Sequence, residues 1–331
     1  MRVLMAMSGG IDSTAAALLL REQGCEVIGC TFRTRYTRDK SIEQAACLAQ
    51  ELGIEHHVLD YSERFETDVV AYFRAEYMAG RTPNPCVVCN RRIKFGSLME
   101  EADRLGCERI ATGHYAQVAQ DGDMYFLERA QDSSKDQTYF LWQLNQQQLS
   151  RVLFPLGAMT KTQVRDFLAK KGYVQLSQQG ESQDICFIEN DYRTFLHLEA
   201  NPGNYVDADG RVLGRHAGYA NYTIGQRKGL GIALGTPAFV GRIDATRNEV
   251  MLTHHDALYT RDVRLREVTF RGDETLPVMA QIRFRSQPQQ AVVAGITPFV
   301  LHFSSPVWAV TPGQSCVFYQ NNRLVGGGII E

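Results

Sequence analysis

The sequence predicts an α/β protein: an N-terminal domain built on a parallel sheet, followed by a β-rich remainder. Three observations carry that expectation. Short apolar strand runs alternate with helical stretches over the first hundred or so residues. Helix signals nearly vanish after Asn201. The length of 331 residues exceeds one ordinary core, because domains average about 150 residues.

The elements follow in order. Arg2 to Ala6 is an apolar run that stops at Ser8-Gly-Gly, and Thr14 to Gln23 then reads as a helix closed by Gly24. Glu26 to Phe32 is a second strand, Ser41 to Leu52 an amphipathic helix capped by Gly53, and His57 to Tyr61 a third strand. A long helical stretch runs from Tyr61 to about Met78, ended by Gly80 and Pro83, and another from about Ile93 to Leu105 precedes the strand Arg109 to Thr112. Strands spaced by helices in this way argue for a parallel sheet covered on both faces. Beyond His114, Tyr115 to Val118 and Met124 to Glu128 flank Gln120-Asp-Gly-Asp123, a hairpin signal. Thr162 to Lys171 and Asp191 to Leu198 are helical, and glycines then punctuate short strands such as Arg242 to Asp244, Glu249 to Leu252 and Gln281 to Phe284. The expected domains are 1–199, 200–260 and 261–331, the last two divided at Leu258-Tyr-Thr-Arg261.

A hydrophobic content of 44% with 22% charged residues excludes a disordered or collagen-like chain. Ala15 to Leu20, the longest apolar stretch near the start, is far short of the roughly 20 residues that span a bilayer. The apolar run before Ser8 is too short for a signal-peptide core, so a cytoplasmic location without a membrane partner is expected. The net charge of −2 conceals a gradient: 22 basic against 27 acidic groups in 1–199, 6 against 5 in 200–260, and 7 against 5 in 261–331. No part is basic enough to announce nucleic acid by charge alone.

Ser8-Gly-Gly-Ile-Asp-Ser13 falls between a strand and a helix, where backbone N–H groups and the helix dipole favour an anion. It lacks both the lysine of a Walker A loop and the spacing of a dinucleotide fingerprint. Its two glycines permit close backbone approach, Ser8 and Ser13 offer hydroxyls, and Asp12 is a candidate magnesium ligand. The plainer alternative is a helix capped by Asp12 or Ser13. These six residues resemble the PP-loop of the ATP pyrophosphatase superfamily, a resemblance that implies ATP, magnesium, cleavage between the α and β phosphates, and an AMP leaving group.

Eight cysteines at 25, 30, 47, 86, 89, 107, 186 and 316 are too sparse for a disulfide framework. Cys86-Val-Val-Cys89, expected on a tight turn between two helices, suits metal ligation or thiol chemistry, and Arg91 and Arg92 beside it are expected to depress a thiol pKa. The alternative for the pair is half of a structural zinc site. Cys25, Cys30, Cys47, Cys107 and Cys316 read as small core residues, and Cys186, between Ile185 and Phe187, has the same plain alternative. Arg283 and Arg285 alternate with Phe284 on a strand, which places positive charge on one face and an aromatic on the other. A solvated strand with Phe284 in the core is the alternative.

Taken together, Gly80-Arg-Thr-Pro-Asn-Pro85, Cys89-Asn90, Ile93-Lys-Phe-Gly96, Ala111-Thr-Gly-His-Tyr115, Lys135-Asp-Gln-Thr-Tyr-Phe-Leu141, Gly180-Glu-Ser182, Ile185-Cys-Phe-Ile188, Tyr222-Thr-Ile-Gly-Gln-Arg-Lys-Gly229 and Trp308-Ala-Val-Thr-Pro-Gly-Gln314 resemble the family of tRNA-specific 2-thiouridylases over nearly the whole chain. The resemblance implies a PP-loop (adenine nucleotide alpha hydrolase-like) domain, a small β-rich central domain and a C-terminal β-barrel. It implies Cys89 as nucleophile and Cys186 as persulfide carrier, with ATP at Ala6, Met7, Ser8, Gly9, Gly10, Ile11, Asp12, Ser13, Phe32 and Gly113. Implied tRNA contacts are Asn84, Pro85, Cys86, His114, Lys135, Asp136, Gln137, Arg283, Phe284 and Gln314. Many family members carry aspartate where this chain has Cys86; members with all three cysteines resemble a subgroup proposed to hold a 4Fe-4S cluster on the residues matching Cys86, Cys89 and Cys186. The implied reaction converts the C2 oxygen of a tRNA wobble uridine, flipped into the site, to an adenylate and replaces it with sulfur from a persulfide or a cluster, fed by a sulfur-donor protein. Another PP-loop adenylating enzyme, of amidotransferase or ligase type, and a non-catalytic RNA-binding zinc module are the competing readings.

Overall fold

The structure, a computed structural model, describes residues 1–180, 185–188, 191–196, 201–233 and 235–331. The chain begins with strand β1 (Arg2–Ala6), helix α1 (Ile11–Glu22), β2 (Glu26–Arg33), α2 (Asp39–Glu51) and β3 (Glu55–Asp60). Helix α3 (Ser62–Phe65) passes through a π-helical segment, Glu66–Val70, into α4 (Ala71–Met78); α5 (Pro85–Cys89) passes through a second, Asn90–Ser97, into α6 (Leu98–Arg104). Then come β4 (Arg109–Ala111), the hairpin β5 (Gln117–Asp121) and β6 (Met124–Glu128), α7 (Gln146–Arg151), β7 (Val152–Leu153), α8 (Lys161–Lys170), α9 (Val174–Ser177) and α10 (Tyr192–Leu196). Gln120-Asp-Gly-Asp123 makes the hairpin turn as expected, with Asp121 opposite Met124. Of the expected helix Asp191 to Leu198, the last two residues lie outside those described.

Contacts divide the chain into two units: 1–69 with 86–187 and 322–324, and 70–85 with 188–321 and 325–331. The first holds a parallel sheet in the order β3-β2-β1-β4-β7. Its core gathers Val3, Met5, Ala15, Ala16, Leu20, Leu48, Val164 and Leu168, which are the inward faces of β1, α1, α2 and α8. In α2 the buried residues are Ile42, Ala45, Leu48 and Ala49. At about 100° per residue Cys47 falls well off that face. It is exposed, and Cys25 is only half-buried, so of the five cysteines expected in the core only Cys30, Cys107 and Cys316 are buried.

The second unit contains a four-stranded sheet, β10 (Phe239–Asp244), β11 (Glu249–Thr253), β8 (Gly203–Val206) and β9 (Val212–His216) in that order. Its six remaining strands, β12 (Tyr259–Phe270), β13 (Val278–Gln281), β14 (Gln289–Ile296), β15 (Phe299–Trp308), β16 (Ser315–Gln320) and β17 (Arg323–Ile330), close into a barrel. They run in the order β12-β15-β14-β13-β16-β17, and β17 pairs back onto β12 with Leu265 opposite Ile330. Closure removes open sheet edges, and Leu301, Phe303, Phe318 and Ile330 fill the interior.

The expected strand Gln281 to Phe284 is corrected: β13 stops at Gln281, and the chain turns, with Ser286 N donating to Arg283 O at 3.0 Å. Arg283 and Phe284 therefore do not alternate on a strand.

Candidate active site

A continuous apolar run, Val3-Leu-Met5, buries β1 on both faces, and the chain must leave the sheet abruptly to start α1. Gly9 permits this with φ +75°; a Cβ there would meet Ala45 N at 3.0 Å and Ser41 O at 3.2 Å. Gly10 is the N-cap residue and supplies no side-chain cap, so neither Asp12 nor Ser13 plays the capping role. Ser13 Oγ instead accepts from Ser8 N at 3.1 Å and lies 3.2 Å from Ser8 Oγ, which curls the turn over the first helical N–H groups. Met7 N donates to Cys30 O at 2.7 Å, and Thr31 Oγ1 donates to Met7 O at 2.8 Å, fixing the turn to β2. Phe32, one residue on, packs against Tyr61 with ring centroids 5.6 Å apart. Ala6 ends β1, Ile11 is buried behind the turn, and Gly113 closes the other side. A Cβ on Gly113 would lie 2.8 Å from Asp12 C and 2.9 Å from Ser13 N, so only glycine lets the β4 end approach the helix this closely.

Asp12 is engaged by residues far away in sequence. Tyr115 Oη donates to its Oδ1 at 2.9 Å, and Lys161 Nζ donates to Oδ1 at 2.8 Å and Oδ2 at 2.9 Å. The Lys161 side chain is only 11% exposed. Lys161 heads α8, which Thr160 and Gln163 cap reciprocally, and its backbone N–H donates to Asp132. Tyr115 is held in turn by Gln137, whose Oε1 accepts from Tyr115 N at 2.9 Å. Asp136 accepts from Ala130 N and Thr138 Oγ1; burial raises its carboxyl pKa against those hydrogen bonds. Of the expected tRNA contacts Lys135, Asp136 and Gln137, Gln137 thus braces the glycine turn through Tyr115 and Asp12, while Asp136 orders its own loop. Lys161 itself was missed at the sequence level; its only signal is the capping pattern Thr160-Lys-Thr-Gln163 ahead of an apolar stripe.

The thiol pair differs from expectation in two ways. Cys86 and Cys89 lie on α5, not on a tight turn, so their three-residue spacing puts both on one helical face. Burial pushes both thiols up, Cys89 to about 12, and the opposing cation is Lys94, not Arg91 or Arg92. Arg92 is instead paired with Asp68 at 3.2 Å. Cys186 lies within electrostatic reach of both helix thiols and is exposed. The next residue, Phe187, is buried against Phe65 and Tyr36, with centroids at 5.4 and 5.9 Å. Among the described residues no three His, Cys, Asp or Glu side chains are grouped so as to hold a metal ion. The three cysteines therefore do not fit a 4Fe-4S cluster in this arrangement. Asp12, its oxygens already given to Lys161, does not fit a resident magnesium site either.

His114 is half-buried between Phe95 and Phe154, with Nδ1 2.8 Å from Thr112 Oγ1. Burial first, then Lys94, holds its pKa well below the usual histidine value, so it is neutral at pH 7. In the second unit Asn84 and Gln314 come together: Asn84 Nδ2 donates to Gln314 Oε1 at 3.2 Å, and Asn84 Oδ1 accepts from Ser315 N at 2.6 Å. Pro85 begins α5 immediately after. The Arg283 guanidinium donates to Ile224 O, Ala309 O and Thr311 Oγ1, which ties three segments together.

Three family models match successive parts of the chain: a tRNA methyl transferase HUP domain at 1–190, a tRNA methyl transferase PRC-barrel domain at 194–254, and an aminomethyltransferase beta-barrel domain at 255–330. The tRNA-specific 2-thiouridylase MnmA of Syntrophomonas wolfei is 44% identical, with all of both chains covered. That of Carboxydothermus hydrogenoformans is 45% identical over 100% of this chain and 97% of its own. A solved 4-thiouridine synthetase–RNA complex with bound ATP overlaps 54% of this chain and 42% of that one, at 18% identity and a TM-score of 0.39.

Proposed function

The chain belongs to the family of tRNA-specific 2-thiouridylases, and on that premise we propose that it replaces the C2 oxygen of a tRNA wobble uridine with sulfur through an O-adenylated intermediate. The observation that carries the reading is one unit holding both a glycine turn backed by the Asp12–Lys161 pair and the three thiols Cys86, Cys89 and Cys186. A uracil carbonyl oxygen is a poor leaving group. ATP, entering as its magnesium complex, turns it into one: the C2 oxygen attacks the α phosphorus and pyrophosphate leaves. The glycine turn offers helix N–H groups to the phosphates, and Lys161 supplies the cation that the turn itself lacks. Ala6, Met7, Ile11, Phe32 and Gly113 complete the nucleotide site.

Sulfur comes next. Cys186, the exposed thiol, carries a persulfide loaded by a sulfur-donor protein. Its terminal sulfur attacks C2, and AMP departs. Cys89 sulfur then attacks Cys186 Sγ, which leaves the transferred sulfur on the base and a Cys89–Cys186 disulfide. The disulfide holds the two electrons' worth of oxidation that the persulfide brought. The β-rich domains, 200–260 and 261–331, hold the tRNA, with Asn84, Pro85, Cys86, His114, Lys135, Asp136, Gln137, Arg283, Phe284 and Gln314 ordering the contacting segments. No helix is long and apolar enough to cross a membrane among the described residues.

The reading is tested by pyrophosphate release. Release should require tRNA carrying an unmodified wobble uridine, and equal release with no RNA or with pre-thiolated tRNA would contradict it. Gly113→Ala is expected to slow that release by about 10²-fold, since a clash of this depth moves α1 by a substantial fraction of an ångström. Thermal melting of the variant separates this effect from unfolding.

Two further outcomes follow from burial. Arg283→Ala should cost about 1.5–3 kcal/mol in urea unfolding, because its bonds are internal. It should change the salt slope of tRNA binding by less than about 1, the shift that losing a phosphate contact would produce. Alkylation of Cys89 should quicken about tenfold per pH unit from pH 7 to pH 10, since the thiolate fraction rises that way below a pKa of about 12. A plateau below pH 9 would show a depressed pKa.

A further inference from the structure

The proposed reaction leaves Cys86 without a chemical task, although it sits one helical turn from Cys89 and is only half-buried. We propose that Cys86 is the resolving thiol that regenerates the enzyme after each turnover; this rests on the persulfide reading above. Residues at i and i+3 on a helix face the same side. The Cα spacing of one helical turn falls within the range of about 4.4–6.8 Å that a disulfide spans. Cys186 is among the charges that act on both helix thiols.

The step is an exchange. Cys86 thiolate attacks Cys89 Sγ of the Cys89–Cys186 disulfide, a Cys86–Cys89 disulfide forms, and Cys186 leaves as thiolate; the proton lost from Cys86 ends on Cys186 or in solvent. No net oxidation occurs, and an external dithiol later reduces the Cys86–Cys89 bond. The exchange has a purpose: Cys186, itself exposed, becomes available for the next persulfide before any reductant arrives. The oxidised bond is parked on the buried helix, where its two cysteines are joined by only one turn.

Peptide mapping of disulfides after a single turnover tests this. Iron-free full-length chain, persulfidated at Cys186, is mixed anaerobically with unmodified tRNA and magnesium ATP and quenched with N-ethylmaleimide. The expected result is 2-thiouridine together with a Cys86–Cys89 disulfide and alkylated Cys186, whereas Cys86→Ser stops at Cys89–Cys186. Recovery of Cys89–Cys186, or of no disulfide, from the parent chain alongside 2-thiouridine would overturn the exchange while leaving the thiolation reading intact. Absence of 2-thiouridine from the parent chain would overturn the thiolation reading, and the exchange with it. A Cys86→Ser chain that fails to fold, as thermal melting would show, leaves the parent-chain mapping to decide.

Discussion

Cys186→Ser is expected to abolish 2-thiouridine formation, by about 10³-fold or more, while tRNA-dependent pyrophosphate release continues. In the proposed reaction the adenylation half would use the glycine turn and Lys161 and none of the thiols, so removing the sulfur carrier should leave an adenylated uridine that hydrolyses back. Cys89→Ser should stop one step later, with sulfur on C2 still joined to Cys186 as a covalent protein–RNA adduct that a thiol reductant cleaves to 2-thiouridine. Loss of pyrophosphate release in Cys186→Ser, with the melting temperature unchanged, would place the cysteine in the first half-reaction and contradict this division.

Lys161→Ala should have the opposite signature. Removing one preorganised electrostatic partner of a developing phosphate charge costs about 10²–10³ in rate, so both pyrophosphate release and thiolation should fall together by that factor. Asp12 then keeps Tyr115 but loses its cation. Because the Asp12 side chain is 36% exposed, the stability loss should lie between the roughly 1 kcal/mol of a surface pair and the 3–5 kcal/mol of a buried one. Lys161→Met combined with Asp12→Asn should recover most of the stability and none of the rate. Recovery of the rate in that double variant would show that the pair is architectural alone.

Local signals located the glycine turn well: β1, the two glycines and α1 lie where a strand, a turn and a helix are written in consecutive residues. Lys161 was hidden because its partner Asp12 is 149 residues away. A lysine at the start of an amphipathic helix looks like any solvated charge until α8 is packed against α1. The cysteine helix was misread for a different reason. Pro83 and Pro85 look like helix breakers in sequence, yet Pro85 occupies the first turn of α5, where its missing N–H and fixed φ are tolerated.

Charge misled the reading in the same neighbourhood. Arg91 and Arg92 follow Cys89 by two and three residues, but the segment Asn90–Ser97 is π-helical, so the residue aligned with Cys89 is five further on; that residue is Lys94, the cation that acts on the thiols, while Arg92 is paired with Asp68. Arg283 shows the converse. An arginine beside a phenylalanine suggests RNA contact, and the fold spends its guanidinium on three internal acceptors. The C-terminal strands, short runs punctuated by glycines, were legible as β structure, while the turn that ends β13 depends on Ser286 folding back on Arg283.

The central claim is that this chain makes 2-thiouridine. Incubation with unmodified tRNA, magnesium ATP and a persulfide donor, followed by nuclease digestion and mass measurement of the nucleosides, tests it most directly. One uridine per tRNA is expected to gain about 16 mass units, the difference between sulfur and oxygen, with AMP and pyrophosphate released in equal amounts. Unchanged uridine, with the chain folded and ATP and donor in excess, would contradict it.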